Sequence, residues 1–286
     1  MRMIERKLTG RKPVINLPNG TIDTQMHMYL PGFPAQEGGP PLPPGLPGPD
    51  EYRQVMDWLG IDRVVITQGN AHQFDNGNLV AALREMGSVS RGIAVVTAET
   101  DDTEMKALHD AGVRGARIMD LPGGATPLSR LMEIDERAHA FGWCVAVQFD
   151  GTHLLDHAER LATIRSRWIL DHHGKFFDGL KPNDPRIDTV KRLIDTGRCW
   201  FKFAGCYESS KSGPPDYEDV GKVAREIAAY APERIVWGTN WPHNLIQETE
   251  DYPDDAAILD TVVGWIPEKH RRTVLVDNPA GLFDFG

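Results

Sequence analysis

The residues able to do chemistry in this sequence fall in short stretches that each follow an apolar run. Asp23-Thr24-Gln25-Met26-His27 is the first, and Gln68-Gly69-Asn70-Ala71-His72-Gln73 the second. A third run carries Arg117 and leads to Asp120, and Gln148-Phe149-Asp150 closes a fourth. Asp171-His172-His173-Gly174-Lys175 follows, then Lys202 with Tyr207-Glu208, and last Gly238-Thr239-Asn240-Trp241-Pro242-His243. Histidine, with a reference pKa of about 6.5, can take and return protons near neutrality. Arginine offers a planar fork of donors suited to a carboxylate, lysine a point charge, and the amides both a donor and an acceptor. Polar groups beside a packed core cost stability unless they are paired or used, so a repeated polar ending points to a shared site. For any one of these residues a purely structural hydrogen bond is an equally good reading, and for His72, His173 and His243 satisfaction within a loop is at least as good. His109, His139, His153, His157 and His270 fall in helical stretches and read as surface or packing residues.

The elements that must position these side chains follow one rhythm: a helix, a glycine in most repeats, then a short apolar strand. Tyr52, Val55, Met56 and Leu59 share a helix face at 3.6-residue spacing, Gly60 can end that helix in the left-handed conformation, and Arg63–Thr67 follows as a strand. The same order repeats before 92–96, 115–119, 144–149, 167–172, 200–203 and 234–238. With 21–25 as the opening strand, the count is eight strands alternating with helices. Near-continuous apolar strands between helices predict a parallel sheet covered on both faces, and eight units predict an α/β fold closed as a (β/α)8 TIM barrel, one domain over 1–286. A doubly wound open sheet is the alternative, though no G-x-G-x-x-G follows the first strand. The Pro/Gly-rich stretch 31–49 comes directly after that strand and is expected to be a stiff active-site loop on the face where barrel sites lie.

Composition narrows the function. The 286 residues suit a single barrel, since such domains commonly take about 250 residues. Hydrophobic residues make up 41% and charged ones 25%, yet no stretch approaches the roughly 20 apolar residues that span a bilayer. Met1–Lys7 has charge without an apolar run, which argues against a secretory leader and for the cytoplasm. A net charge of −10 without Lys/Arg blocks argues against nucleic acid as a partner, so an acidic substrate must meet local positive charge inside a site. Cys144, Cys199 and Cys206 lack CxxC spacing and are odd in number, as expected for reduced thiols. A homo-oligomer is compatible with the sequence and not specified by it.

Several of these stretches carry a resemblance. Asp23-Thr24-Gln25-Met26-His27 resembles the D-T-H-x-H opening of the amidohydrolase superfamily, and Asp171-His172-His173-Gly174 its D-H-x-G strand end. Trp237-Gly238-Thr239-Asn240-Trp241-Pro242-His243 is similar to the W-G-(S/T)-D-W-P-H of the superfamily's lactonase branch, and Asp277-Asn278-Pro279-Ala280-Gly281-Leu282-Phe283 to that branch's terminal helix. The match spans nearly the whole chain. Two departures bear on mechanism: Gln25 stands where the pattern has the first histidine, and Asn240 where it has the last carboxylate. Neutral amides are poor zinc ligands and poor bases, so the expectation is no catalytic metal, no cofactor and a weaker case for hydrolysis.

The resemblance implies interconversion of the 1,5- and 1,4-lactones of D-galactaric acid, an acyl transfer within one molecule. A hydroxyl must lose a proton and the leaving oxygen gain one, and His27 and His172 are assigned to those catalytic roles without a choice of base and acid. Asn240 would orient a hydroxyl or the carbonyl. Arg117, with Lys202 second, would bind the free carboxylate or the oxyanion, and Gln25, Asn70, His72, Gln148 and Tyr207 would contact the small sugar-diacid lactone. The rivals are a metal-independent lactonase, a non-catalytic sugar-acid binder, and a metal-dependent hydrolase or decarboxylase.

Overall fold

The computed structural model describes residues 4–181, 183–246 and 248–286. Met1, Arg2 and Met3, part of the stretch read for a secretory leader, lie outside the described residues. Eight parallel strands form one sheet in sequence order: β1 (Ile22–Met26), β2 (Arg63–Thr67), β3 (Ser90–Ala94), β4 (Val113–Asp120), β5 (Cys144–Phe149), β6 (Trp168–Leu170), β7 (Cys199–Phe203) and β8 (Ile235–Trp237). Among the described residues helices alternate with them: α1 (Pro49–Leu59), α2 (Gly77–Met86), α3 (Asp102–Asp110), α4 (Leu131–Ala140), α5 (Leu154–Ala162), α6 (Pro185–Asp195), α7 (Glu218–Tyr230) and α8 (Asp255–Gly264), followed by a terminal α9 (Asn278–Phe283). No helix among the described residues is long and apolar enough to cross a membrane.

Between β8 and β1 the regular ladder is replaced by individual bonds. Asn240 N–H donates to Gln25 O at 2.8 Å, His27 N–H to Trp241 O at 2.9 Å, and the Thr24 hydroxyl to Trp237 O at 2.8 Å. Buried Asp23 fastens the same seam, accepting from the Thr239 hydroxyl and, at 2.6 Å, from Tyr52 of α1. Gly238 allows the approach, because a Cβ there would sit 2.5 Å from Gln25 Cβ.

Side chains alternate across a strand with period two, and the inward face of this barrel changes character along that period. At the N-terminal end Ile22, Val65, Ile93, Ala146, Ile169, Trp200 and Val236 form an apolar interior, capped by Leu282 and Phe283 of α9 and by Phe285. Two residues further along the strands stand Thr24, Thr67, Gln148, Asp171 and Lys202, all buried, with Arg117 two beyond Gly115 on β4. One step of the pleat thus turns the core into the polar floor of a site at the C-terminal mouth. The larger core lies between sheet and helices, where Leu83, Leu108, Ile134, Leu161, Leu193 and Ile227 pack on the strands' outer faces.

Candidate active site

At that mouth lies a cavity of about 290 Å³, lined by His27, Asn70, Arg117, Gln148, His172, Lys175, Glu208 and Asn240, with Met119, Leu121, Pro122, Phe177, Asn244 and Leu245. His27, the residue after β1, is 6% exposed. Its Nδ1 stands 2.9 Å from Thr67 O, and a carbonyl only accepts, so Nδ1 carries the proton and Nε2 is left unprotonated, as an acceptor. Gln25, its Oε1 held by Lys202, donates to that nitrogen through Nε2 in a long bond of 3.4 Å. Burial, with the nearby Arg117 charge, pushes His27 down to about 3, so the imidazole is neutral at physiological pH.

His172 is held differently. Its Nδ1 is 2.8 Å from Asp171 Oδ1, and its Nε2 is 3.1 Å from Asn240 Oδ1. Asn240 spends its two N–H groups on the Tyr207 hydroxyl and Glu208 Oε1, both at 2.8 Å, which fixes Oδ1 toward the histidine. Both ring nitrogens therefore face acceptors, an arrangement that an imidazolium satisfies in full. Burial alone would raise Asp171, but Lys202 and His172 outweigh it and hold the carboxyl far below the usual range. Lys202, wholly buried, donates to Asp171 Oδ2 at 3.1 Å and to Gln25 Oε1 at 2.8 Å.

Backbone geometry concentrates strain here. His172, His173, Gly174 and Lys175 all have φ between 48° and 76°, a left-handed run that costs non-glycine residues on the order of 1 kcal/mol each. The run turns His172 and Lys175 toward the cavity, where Lys175 pairs with Glu208. Burial would raise Glu208, but Lys175 and His172 lower it. Gly205, at φ 57°, leaves room for this cluster, since a Cβ would meet His172 Cδ2 at 2.9 Å and Asn240 Nδ2 at 3.0 Å.

Arg117 has no carboxylate among its hydrogen-bond partners in the described residues. Nη1 donates to Gln68 O at 2.9 Å and Asn70 Oδ1 at 2.8 Å, and Nη2 to Gln148 Oε1 at 3.1 Å. This buried guanidinium, braced by neutral oxygens, is the cation an anionic ligand would meet. Behind Asn240 a relay runs outward. The Tyr207 hydroxyl, accepting from Asn240, donates to His243 Nδ1 at 2.6 Å, and His243 Nε2 donates to Asp255 Oδ1 at 2.9 Å.

His27, His172, Asn240, Asn70, Arg117 and Gln148 meet at the cavity, as the sequence reading expects. Four other residues expected to touch substrate do not line it. Gln25 and Lys202 lie in the floor, bonded to each other, and Tyr207 stands behind Asn240. His72 packs on Tyr29 with Nδ1 3.3 Å from Pro34 O, so it braces the proline-rich loop. Lys175 and Glu208 belong to stretches the sequence marks as polar but were not singled out, and Asn244 was missed because only the fold of its loop turns it inward. Zinc does not suit this donor set. The two amides at the expected ligand positions are engaged by Lys202 and His172, and an ammonium already serves Asp171; among the described residues no cluster of three or more His, Cys, Asp or Glu could hold an ion.

Residues 22–285 match the amidohydrolase family. The chain belongs to that family. Over 99% of its length this amidohydrolase is 58% identical to a D-galactarolactone isomerase of Agrobacterium fabrum, covering 97% of that protein. It is 32% identical to a 4-sulfomuconolactone hydrolase of Rhizobium radiobacter, over 93% of this chain and 91% of the other. A crystal structure of an apo Agrobacterium tumefaciens protein superposes with a TM-score of 0.95 at 58% identity, covering 98% of this amidohydrolase and 99% of that chain.

Proposed function

We propose that this amidohydrolase is a sugar-diacid lactone isomerase that interconverts D-galactaro-1,5-lactone and D-galactaro-1,4-lactone by acyl transfer within one molecule. The observation that carries the reading is His27, a neutral imidazole whose unprotonated Nε2 lies at a cavity walled by a guanidinium bonded to no carboxylate, in a chain 58% identical to a D-galactarolactone isomerase. The substrate carboxylate pairs with Arg117, placing the lactone over His27 and His172. His27 Nε2 takes the proton of the C4 hydroxyl as O4 bonds to C1. His172, fixed between Asp171 and Asn240, stands beside the carbonyl oxygen on which charge develops. The C1–O5 bond then breaks, and the proton held by His27 passes to O5, so no water is consumed and the histidine returns to its starting state. Attacker and target share one molecule, so the cost of bringing them together, as much as roughly 7 to 11 kcal/mol between separate reactants, is already met and the site has only to hold the reactive conformer.

Asn240 acts through His172 and Glu208, its two N–H groups being already spent. Gln25 and Lys202 set the electrostatics of the floor, and 31–49 serves as the stiff rim. The likeness to 4-sulfomuconolactone hydrolases favours hydrolysis as the second reading. Carbon NMR of purified enzyme with D-galactaro-1,5-lactone, run in a pH-stat, tests both. The 1,4-lactone without proton release is the expected outcome, and stoichiometric acid would replace the isomerase by a lactonase.

A further inference from the structure

A second cavity of about 250 Å³ adjoins the first and shares His27, Asn70, Arg117, Met119, Pro122, Asn244 and Leu245 with it. Its own walls include Ile4 and Arg6 from the N-terminal segment, Tyr29, the stretch Pro40-Pro41-Leu42-Pro43-Pro44 and His243. Arg6 is half-buried, and its Nη1 donates to Pro44 O at 2.9 Å. Its Nε is buried without a partner among the described residues, and so is the Oδ1 of Asn244, whose Nδ2 is spent on the Tyr29 hydroxyl at 2.7 Å. Glu51 is near enough to offset part of the Arg6 charge, but its Oε2 accepts from Gly48 N at 2.8 Å. Beside the catalytic cavity there is thus an apolar-walled chamber with a cation and an acceptor, both with capacity to spare.

The chemistry of the reaction says what needs such a chamber. In a 1,5-lactone the carboxylate carbon is bonded to C5 within the ring, three bonds from the carbonyl carbon through the ring oxygen. In the 1,4-lactone C5 leaves the ring, so the carboxylate stands four bonds away on a rotatable arm and the C5 hydroxyl is newly free. With the carbonyl carbon held over His27, isomerisation moves the carboxylate outward and creates a hydroxyl that needs a partner. We infer that the adjoining cavity is the subsite for the arm of the 1,4-lactone, with Arg6 binding its carboxylate and Asn244 Oδ1 accepting from its C5 hydroxyl. The inference rests on the isomerase reading and assigns specificity to an N-terminal segment outside the barrel.

Arg6→Gln tests it, with Arg6→Lys and Asn244→Ala beside it, each first checked for an unchanged melting temperature. The probes are D-galactaro-1,4-lactone, as substrate of the reverse reaction and as product inhibitor, and D-galactaro-1,5-lactone. Arg6→Gln should raise the KM and inhibition constant of the 1,4-lactone roughly tenfold, the weight of one charge-assisted contact at a half-exposed site, and those of the 1,5-lactone less than twofold. Arg6→Lys should recover part of the loss. The efficiencies of the two directions keep their ratio, which the equilibrium constant fixes, so the split in KM is the readout. Equal weakening of both lactones, or no weakening of either, would overturn the subsite. Wild-type enzyme that fails to interconvert the lactones would instead remove the isomerase reading on which it stands.

Discussion

Two histidines of one site are held in different hydrogen-bonding environments, and the difference lies in what faces their nitrogens. His27 gives its proton to a carbonyl and keeps Nε2 unprotonated, whereas His172 stands between a carboxylate and an amide oxygen. Because burial and Arg117 hold His27 near 3, its neutral form persists through the mildly acidic range. The acid limb of kcat/KM should therefore lie below about pH 5, well under the reference histidine value of about 6.5. A limb centred at the ordinary value would assign the proton transfer elsewhere. Replacing His27 with Asn should lower kcat by about a hundredfold or more, the usual weight of a general base, with a small change in KM. Arg117→Gln should act chiefly through KM, and a variant that lost kcat alone would move the guanidinium from the carboxylate to the oxyanion.

At the scale of elements, the strand count, the order and the parallel sheet were legible because each strand is a short apolar run behind a helix with a 3.6-residue stripe. α8 was not read: Ile258, Leu259, Val262 and Val263 form a buried stripe, but the charged Asp255 lies on the same buried face and blurs it. The polar ends gather at one mouth of the barrel, as their place after the strands predicts. They did not separate residues that face the cavity from those beneath it, because Gln25 and Lys202 are indistinguishable from ligand contacts until their bond to each other is known. His72 and Tyr207 belong to turns whose direction depends on contacts distant in sequence, with Pro34 and His243 respectively. The strained turn after β6 and the left-handed Gly205 beside it form one unit. Gly205→Ala should displace His172 and Asn240, lowering kcat at least tenfold and stability by about 1–2 kcal/mol, while circular dichroism shows the helices retained. Unchanged activity would mean that the turn tolerates movement.

For the whole molecule, pH links the site to stability. His27 and His173 are each held near 3 by burial, while Asp23 is raised to about 6, also by burial. Between about pH 3 and 6.5 the unfolded chain binds more protons at each histidine, so stability falls as the solution is acidified through that window. Asp23 opposes this between its reference value and about 6, where the folded form binds the extra proton, but it is one group against two. The melting temperature should fall steadily from pH 6.5 to 4.5, and a flat profile would show that the histidines are not held neutral.

The central claim is that the lactone carbonyl is attacked by a hydroxyl of its own molecule. Turnover of D-galactaro-1,5-lactone in water enriched in oxygen-18 tests it most directly, with mass spectrometry of the 1,4-lactone formed. Intramolecular transfer predicts a product with no label above the uncatalysed background. Label in the carbonyl, or release of labelled galactarate as the main product, would show that water is the nucleophile and contradict the account.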